Sequence, residues 1–145
     1  MELDFSKIER LKKIRSEKSE LSSEENALAS PFLEDKRLIR EIYRIFVEIL
    51  SERTCPPNPD SVTQRKKFIF IVIYLFSPST LAGGRMKHGL REEMSRVMDI
   101  RSAGIISKDC EDVVFLFRHY KDFSYDIRNI YAEIMSRLKA KGFVK

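Results

Sequence analysis

The sequence has little of what several large protein classes require. Its 145 residues include two cysteines, five glycines, five prolines and no tryptophan. Cys55 and Cys110 are too few for a disulfide scaffold or a four-ligand zinc site. Glycine and proline are too scarce for an all-β protein built on many tight turns. The longest apolar run, Phe68 to Phe76, has nine residues, and a membrane-spanning helix needs about 20. Arg65-Lys66-Lys67 before that run would suit a membrane-surface anchor. Ser77-Pro78 ends it so soon, however, that a buried core segment is expected and no membrane partner. The N-terminal residues Met1-Glu2-Leu3-Asp4 are acidic, and no apolar stretch follows them. No signal peptide is expected, which implies a cytoplasmic chain with reduced cysteines. Catalytic signatures are missing too: there is no P-loop, nucleophile elbow, Cys-His pattern or HExxH. His88 and His119 have no metal-ligand partner at helical spacing, and the adjacent Glu92 and Glu93 cannot face each other on a helix. No enzyme activity, cofactor or metal is expected.

What the chain does have is charge, unevenly placed. Residues 1–60 carry 11 basic and 13 acidic side chains, and residues 61–145 carry 16 basic and 9 acidic. Within 65–108 nine basic residues meet only Glu92, Glu93 and Asp99. A local excess of this kind suits a polyanion, because phosphate contacts release counterions. It suits a solvated basic surface equally well.

Periodicity predicts an all-α chain. Ile8, Leu11 and Ile14 make a thin stripe on a short helix over 5–15, too few for heptads. Residues 16–25, SEKSELSSEE, read as a linker or a frayed helix end. Residues 33–52 carry a wide apolar stripe of Leu38, Ile42, Ile45 and Ile49, widened by Ile39, Tyr43, Phe46 and Leu50. Glu34 and Asp35 sit near its start. Three prolines between Cys55 and Asp60 then make a stiff connector, the one obvious breakpoint. Ser61 and Gln64 have capping-box spacing before 65–76. That segment's β-branched and aromatic residues suit a strand as well, but no second strand exists to pair with it, so a buried helix is expected. Residues 77–89 read as a loop with room for one helical turn, its backbone left free by Gly83, Gly84 and Gly89.

Beyond it, Leu90 to Met98 is a short helix with Leu90, Met94, Val97 and Met98 inward. After a turn, Ser102 caps a helix over about 103–120, with Ile106, Cys110, Val113, Phe117 and Tyr120 inward, widened by Val114 and Leu116. A last helix starts near Ser124 with Asp126 in its first turn. It carries Ile127, Ile130, Tyr131, Ile134 and Leu138 on one stripe and ends at Gly142. The aromatic set Phe115, Phe117, Tyr120, Phe123, Tyr125 and Tyr131 reads as core.

The short-helix, turn, longer-helix unit at 90–120 has the residues a helix-turn-helix needs. Ser95 is the small residue of the first helix, Met94, Val97 and Met98 flank it, and Ile106 anchors the second. The stretch Glu93 to Ile106 resembles the helix-turn-helix of the bacterial chromosomal replication initiator's C-terminal DNA-binding domain, a member of the Trp-repressor-like class. The family pattern, roughly E-I-G-x-A-F-G-G-R-D-H-[ST]-T-V, lies on it without a gap. Met94, Ser95, Val97, Met98, Arg101 and Ile106 fall on the apolar, small, Ala, Phe, Arg and anchor positions, and Asp99-Ile100 on the Gly-Gly turn. Ser102, Ala103 and Gly104 replace the family's Asp-His-Thr base readers, so the initiator's own site is not the target. The likeness covers about 55 residues, 65–120. It implies a Trp-repressor-like unit, a duplex DNA partner and a base-reading role for Arg101. Arg65 and Lys66 match the basic start of the family's preceding helix, which lies along the DNA backbone.

A division of labour follows. Arg101, Ser102, Ser107 and Lys108 are candidates for the major groove. Arg65, Lys66, Lys67, Arg91 and Arg96 would contact phosphates. Arg85 and Lys87, with His88, could follow a backbone or enter a minor groove. Asp109, Glu111 and Asp112 would repel DNA if they shared the docking face. Two domains are expected: 1–60, a helical extension for a homodimer or a protein partner, and 61–145, a helix-turn-helix DNA-binding domain. The expected function is DNA binding in transcription or replication control, plausibly of a phage or mobile element. The alternative is a helical protein–protein interaction or assembly module.

Overall fold

The computed structural model describes residues 2–145, and every regular element among them is helical. Six α-helices follow in order: α1 (Phe5–Leu28), α2 (Leu38–Ser51), α3 (Val62–Phe76), α4 (Leu90–Val97), α5 (Ala103–His119) and α6 (Lys121–Ala140). A 3-10 turn at Pro78–Ala82 follows α3. The chain divides into two units between Ser30 and Pro31. No described helix is long and apolar enough to cross a membrane.

The first unit is one uninterrupted helix of 24 residues with no buried side chain. The Asp4 carboxylate caps it by accepting from the Ser6 amide at 3.1 Å. SEKSELSSEE is therefore neither a linker nor a frayed end; it continues the helix. Ser and Glu lower helix propensity only slightly, and no glycine or proline interrupts them.

The second unit is arranged around α3. Ten of its 15 residues are buried, including Phe68, Ile69, Ile71, Val72, Ile73 and Leu75, none of them measurably exposed. A helix that is apolar all round must be covered on all sides, and α2, α5, α6 and the 3-10 turn pack on it. This decides the strand-or-helix ambiguity: each face of the helix finds an apolar neighbour. Ser61 caps α3, accepting from the Gln64 amide at 3.4 Å. The reciprocal half of a capping box is not made, because the Ser61 amide already donates to the Asn58 carbonyl at 3.1 Å. Gln64 Oε1 is left buried without a partner.

The boundary expected after residue 60 falls instead at residue 30. Ile39, Ile42, Ile45, Phe46 and Leu50 of α2 are buried in the same core as α3, so α2 is part of the body and not of an extension. It starts at Leu38 and not at 33; Asp35 opens it, accepting from the Arg37 amide at 3.0 Å. Phe32 and Leu33 both donate to the Leu75 carbonyl at 2.9 Å, clipping the entering segment onto the end of α3.

α5 and α6 are separated by one residue, Tyr120, in extended conformation. The last helix thus begins at Lys121, three residues before Ser124, and Asp122 occupies its first turn. At its other end Gly142 has φ +81°, and Phe143 donates to the Leu138 carbonyl at 3.0 Å, a Schellman closure. Tyr120, expected inward, is 56% exposed, as is Phe115. Tyr125 is exposed as well, so half of the aromatic set lies outside the core.

Truncating Ile71 to alanine is expected to cost about 3–5 kcal/mol, because α3 is enclosed and cannot collapse onto the cavity. The exposed Val62→Ala is expected to change stability by less than about 0.5 kcal/mol. Urea denaturation of both variants measures the contrast.

Candidate nucleic-acid interface

Three consecutive cations open α3. Neighbours on a helix point about 100° apart, so the three side chains leave in different directions. Arg65 Nε donates to Asp109 Oδ2 at 2.6 Å, and Lys66 Nζ to Asp112 Oδ2 at 3.2 Å. Lys67 Nζ donates to Asp126 Oδ2 at 2.6 Å, with Arg53 Nη2 on the other carboxylate oxygen at 2.5 Å. Arg65, Lys66 and Lys67, expected on phosphates, are thus held by carboxylates of α5 and α6. Asp109 and Asp112 stand three residues apart and share the face of α5 toward α3. Of the three acids expected to oppose DNA, Asp109 is buried, the Asp112 side chain is half exposed and Glu111 is exposed.

The loop after the 3-10 turn is tied down, contrary to its expected freedom. The Ser77 hydroxyl accepts from the Lys87 amide at 3.2 Å and shares a hydrogen bond with the Thr80 hydroxyl at 2.8 Å. The Gly84 amide donates to the Ser79 carbonyl at 2.8 Å. Lys36 Nζ donates to the His88 carbonyl at 3.2 Å. Lys36 was outside the residues singled out from the sequence. Its 52-residue separation from His88 leaves no local signal. Gly89 caps α4 in the left-handed region at φ +81°, which a side chain would strain.

This loop, the start of α4 and α5 enclose a cleft of about 430 Å³ lined by Arg85, Lys87, His88, Arg91, Glu92 and Ser107. Arg91 Nη1 donates to the Ser107 hydroxyl at 2.8 Å, joining α4 to α5. Arg85, Lys87 and Arg91 are exposed at its rim.

Next along the chain, Leu90 and Met94 are fully buried, and Val97 and Met98 are 8% exposed. Asp99 has φ +56°, the only described non-glycine residue in the left-handed region. Aspartate tolerates that conformation better than most residues. The Ile100 amide donates to the Ser95 carbonyl at 2.9 Å, and the Ser95 hydroxyl donates to the Ile100 carbonyl at 3.1 Å. Ser95 thus closes the turn as well as sparing space. Ser102 caps α5, accepting from the Gly104 amide at 3.1 Å, and Ile106 is fully buried. Arg101, Ser102 and Lys108 are exposed, Ser107 is half-buried, and the exposed Arg96 pairs with Glu93 on its own helix.

Cys110 faces partly inward beside this unit. Burial first, then the Asp109 carboxylate, pushes its thiol up to about 12. It stays un-ionised at neutral pH and is a poor nucleophile.

Comparison with family models, with curated proteins and with solved structures finds no match to this chain.

Two variants test the ion pairs. Arg65 and Asp109 side chains are 19% and 6% exposed. Asp109→Asn leaves a guanidinium without its counter-charge and is expected to cost about 3 kcal/mol in chemical denaturation, less than a fully buried pair because Arg65 keeps some water. Asp126 gives a pH signature. Burial raises its carboxyl, but the hydrogen bonds from Lys67 and Arg53 outweigh burial and hold it below the ordinary 3.8. A depressed folded value adds stability that is complete above the unfolded value and is lost as the pH falls through the folded one. Wild type is therefore expected to exceed Asp126→Asn in stability at neutral pH, with the gap closing below pH 3.8. Urea midpoints across that range check the sign.

Proposed function

We propose that the chain binds double-stranded DNA through a Trp-repressor-like helix-turn-helix formed by α4, the turn Met98–Ser102 and α5, in transcription or replication control of a phage or mobile element. The observation that carries this reading is the sorting of charge around α5. Asp109 and Asp112 are engaged by Arg65 and Lys66. On the 85–89 loop, α4, the turn and the front of α5 the exposed cations Arg85, Lys87, Arg91, Arg96, Arg101 and Lys108 then outnumber the exposed acids Glu92, Asp99 and Glu111, although Arg91 and Arg96 pair with Glu92 and Glu93. The left-handed residue in the turn, the closure by Ser95 and the buried Ile106 anchor add support, because a helix-turn-helix needs a tight turn and an apolar joint.

In this reading Arg101 reads a base, with Ser102 and Lys108 beside it. An arginine bidentate to guanine supplies about 1–3 kcal/mol of discrimination. Ser107 holds Arg91, so its role is to position a cation. Arg85, Lys87, Arg91 and Arg96 hold phosphates and set affinity without specificity. Arg65, Lys66 and Lys67 brace α5 and α6 against α3 and leave the contact set.

A second reading, a protein-interaction module, draws on one observation. Phe115, His119 and Tyr120 form an exposed ring cluster, with Phe115 and His119 centroids 4.3 Å apart.

Fluorescence anisotropy with labelled duplexes separates the two. DNA binding predicts that Arg101→Glu or Lys108→Glu abolishes complex formation. With four phosphate contacts, log affinity is expected to fall against log salt with a slope of about −4. Lys66→Gln is expected to leave affinity unchanged. Binding that survives Arg101→Glu and ignores salt would falsify the first reading, and a duplex-blind chain that co-purifies with a protein partner would favour the second.

A further inference from the structure

α1 has a problem that its own sequence creates. Residues 5–15 hold Lys7, Arg10, Lys12, Lys13 and Arg15 against Glu9 alone, whereas residues 16–28 hold Glu17, Glu20, Glu24 and Glu25 against Lys18 alone. A helix dipole favours the reverse arrangement, acids first and bases last, and α1 has no acid in its first turn and no base in its last. It also buries nothing, and helices in proteins get most of their stability from packing an apolar face, which an isolated helix lacks. Two antiparallel copies would remove both difficulties. The basic half of each helix would lie on the acidic half of the other, and the two dipoles would oppose.

The spacing supplies a seam for this. Lys7, Leu11, Ile14, Lys18, Leu21, Glu25 and Leu28 recur at alternate steps of four and three residues, the a/d repeat of a coiled coil. Four of the seven are apolar, and Leu11, Leu21 and Leu28 are exposed. Only the continuation of the helix through SEKSELSSEE brings Leu21 and Leu28 into line with Leu11 and Ile14. In an antiparallel register centred on Ser16, Leu11 meets the second copy's Leu21 and Lys7 meets its Glu25. Ile14 meets the aliphatic stem of its Lys18. In a parallel pair Lys7 would face Lys7 and Glu25 would face Glu25.

We infer that α1 is a self-association element that pairs with α1 of a second copy of this chain as an antiparallel two-helix coiled coil. The interface is isologous, the same surface on both copies, as two-fold symmetry requires. It does not depend on the DNA-binding reading, although a dimer would carry two copies of α5.

Sedimentation equilibrium of the full chain tests it. The expected result is a mass of two chains, against 17.0 kDa for one, with dissociation as salt rises. The triple variant Arg10→Glu, Lys12→Glu, Lys13→Glu is expected to sediment as a monomer, and so is Glu20→Lys, Glu24→Lys, Glu25→Lys. An equimolar mixture of the two is expected to recover the dimer. Both reversals match the helix dipole, and circular dichroism of each variant separates lost association from a melted helix. Direction is read by disulfide formation in a Cys55→Ser background. Leu11→Cys and Leu21→Cys chains are expected to cross-link when mixed and not when oxidised separately. A wild-type chain that sediments as a monomer at its solubility limit overturns the proposal, as do charge variants that dimerise like wild type. Cross-linking of either cysteine variant with itself but not with the other overturns the antiparallel arrangement.

Discussion

The body from Pro31 onward depends on covering α3. A 15-residue helix with apolar side chains on every face cannot lie on a surface, so each neighbour must turn a stripe toward it. Each fully buried Ile or Phe contributes about 1.5–3 kcal/mol relative to exposure, and α3 supplies six such large side chains among the described residues: Phe68, Ile69, Ile71, Ile73, Leu75 and Phe76. The amphipathic stripes of α2, α5 and α6 are answers to that demand. So is the clip from Phe32 and Leu33 to the Leu75 carbonyl, which holds the entering chain against the end of the helix. Ile106 and Val113 belong to the same core, so the position of α5 is set by α3.

The same packing allocates the charges. The start of α3 is as basic as any stretch of the chain, yet its three cations are held at the helix interfaces by Asp109, Asp112 and Asp126. Cations and acids that cancel there leave the 85–108 segment with the surplus. The cleft beside it is held in shape from several directions: Ser77 and Thr80 from behind, Lys36 from the segment before α2, and the Arg91–Ser107 bond between α4 and α5. A glycine-bearing loop tied in this way presents its cations from fixed positions.

How much of this was legible varies by kind of feature. The stripes of α2 and α6, the Ser61 and Ser102 caps, and the stop at Gly142 are local, and they were readable from spacing and residue type. Helix bounds were less so. Tyr120 and the start of α6 were misplaced because a one-residue break leaves no glycine or proline to mark it. Continuity through SEKSELSSEE was missed because serine and glutamate resemble linker composition, although nothing in them stops a helix. The candidate site was half legible. The surplus of charge was visible in the composition of 65–108, but its accessible members were not. An arginine that reaches an aspartate 44 residues away looks the same in sequence as one that reaches solvent.

The sequence by itself determined a mainly helical chain, a segment too apolar to be exposed, and a basic stretch around a short-helix, turn, longer-helix unit. These follow from short-range rules: period, cap chemistry and residue type act over a few positions. Only the tertiary structure decided that the body begins at Pro31, and that Arg65, Lys66 and Lys67 are spent inside it while Arg101 and Lys108 stay in water. The physical reason is that ion pairing and burial depend on distance in space. The folding of α5 and α6 onto α3 sets those distances, not separation along the chain.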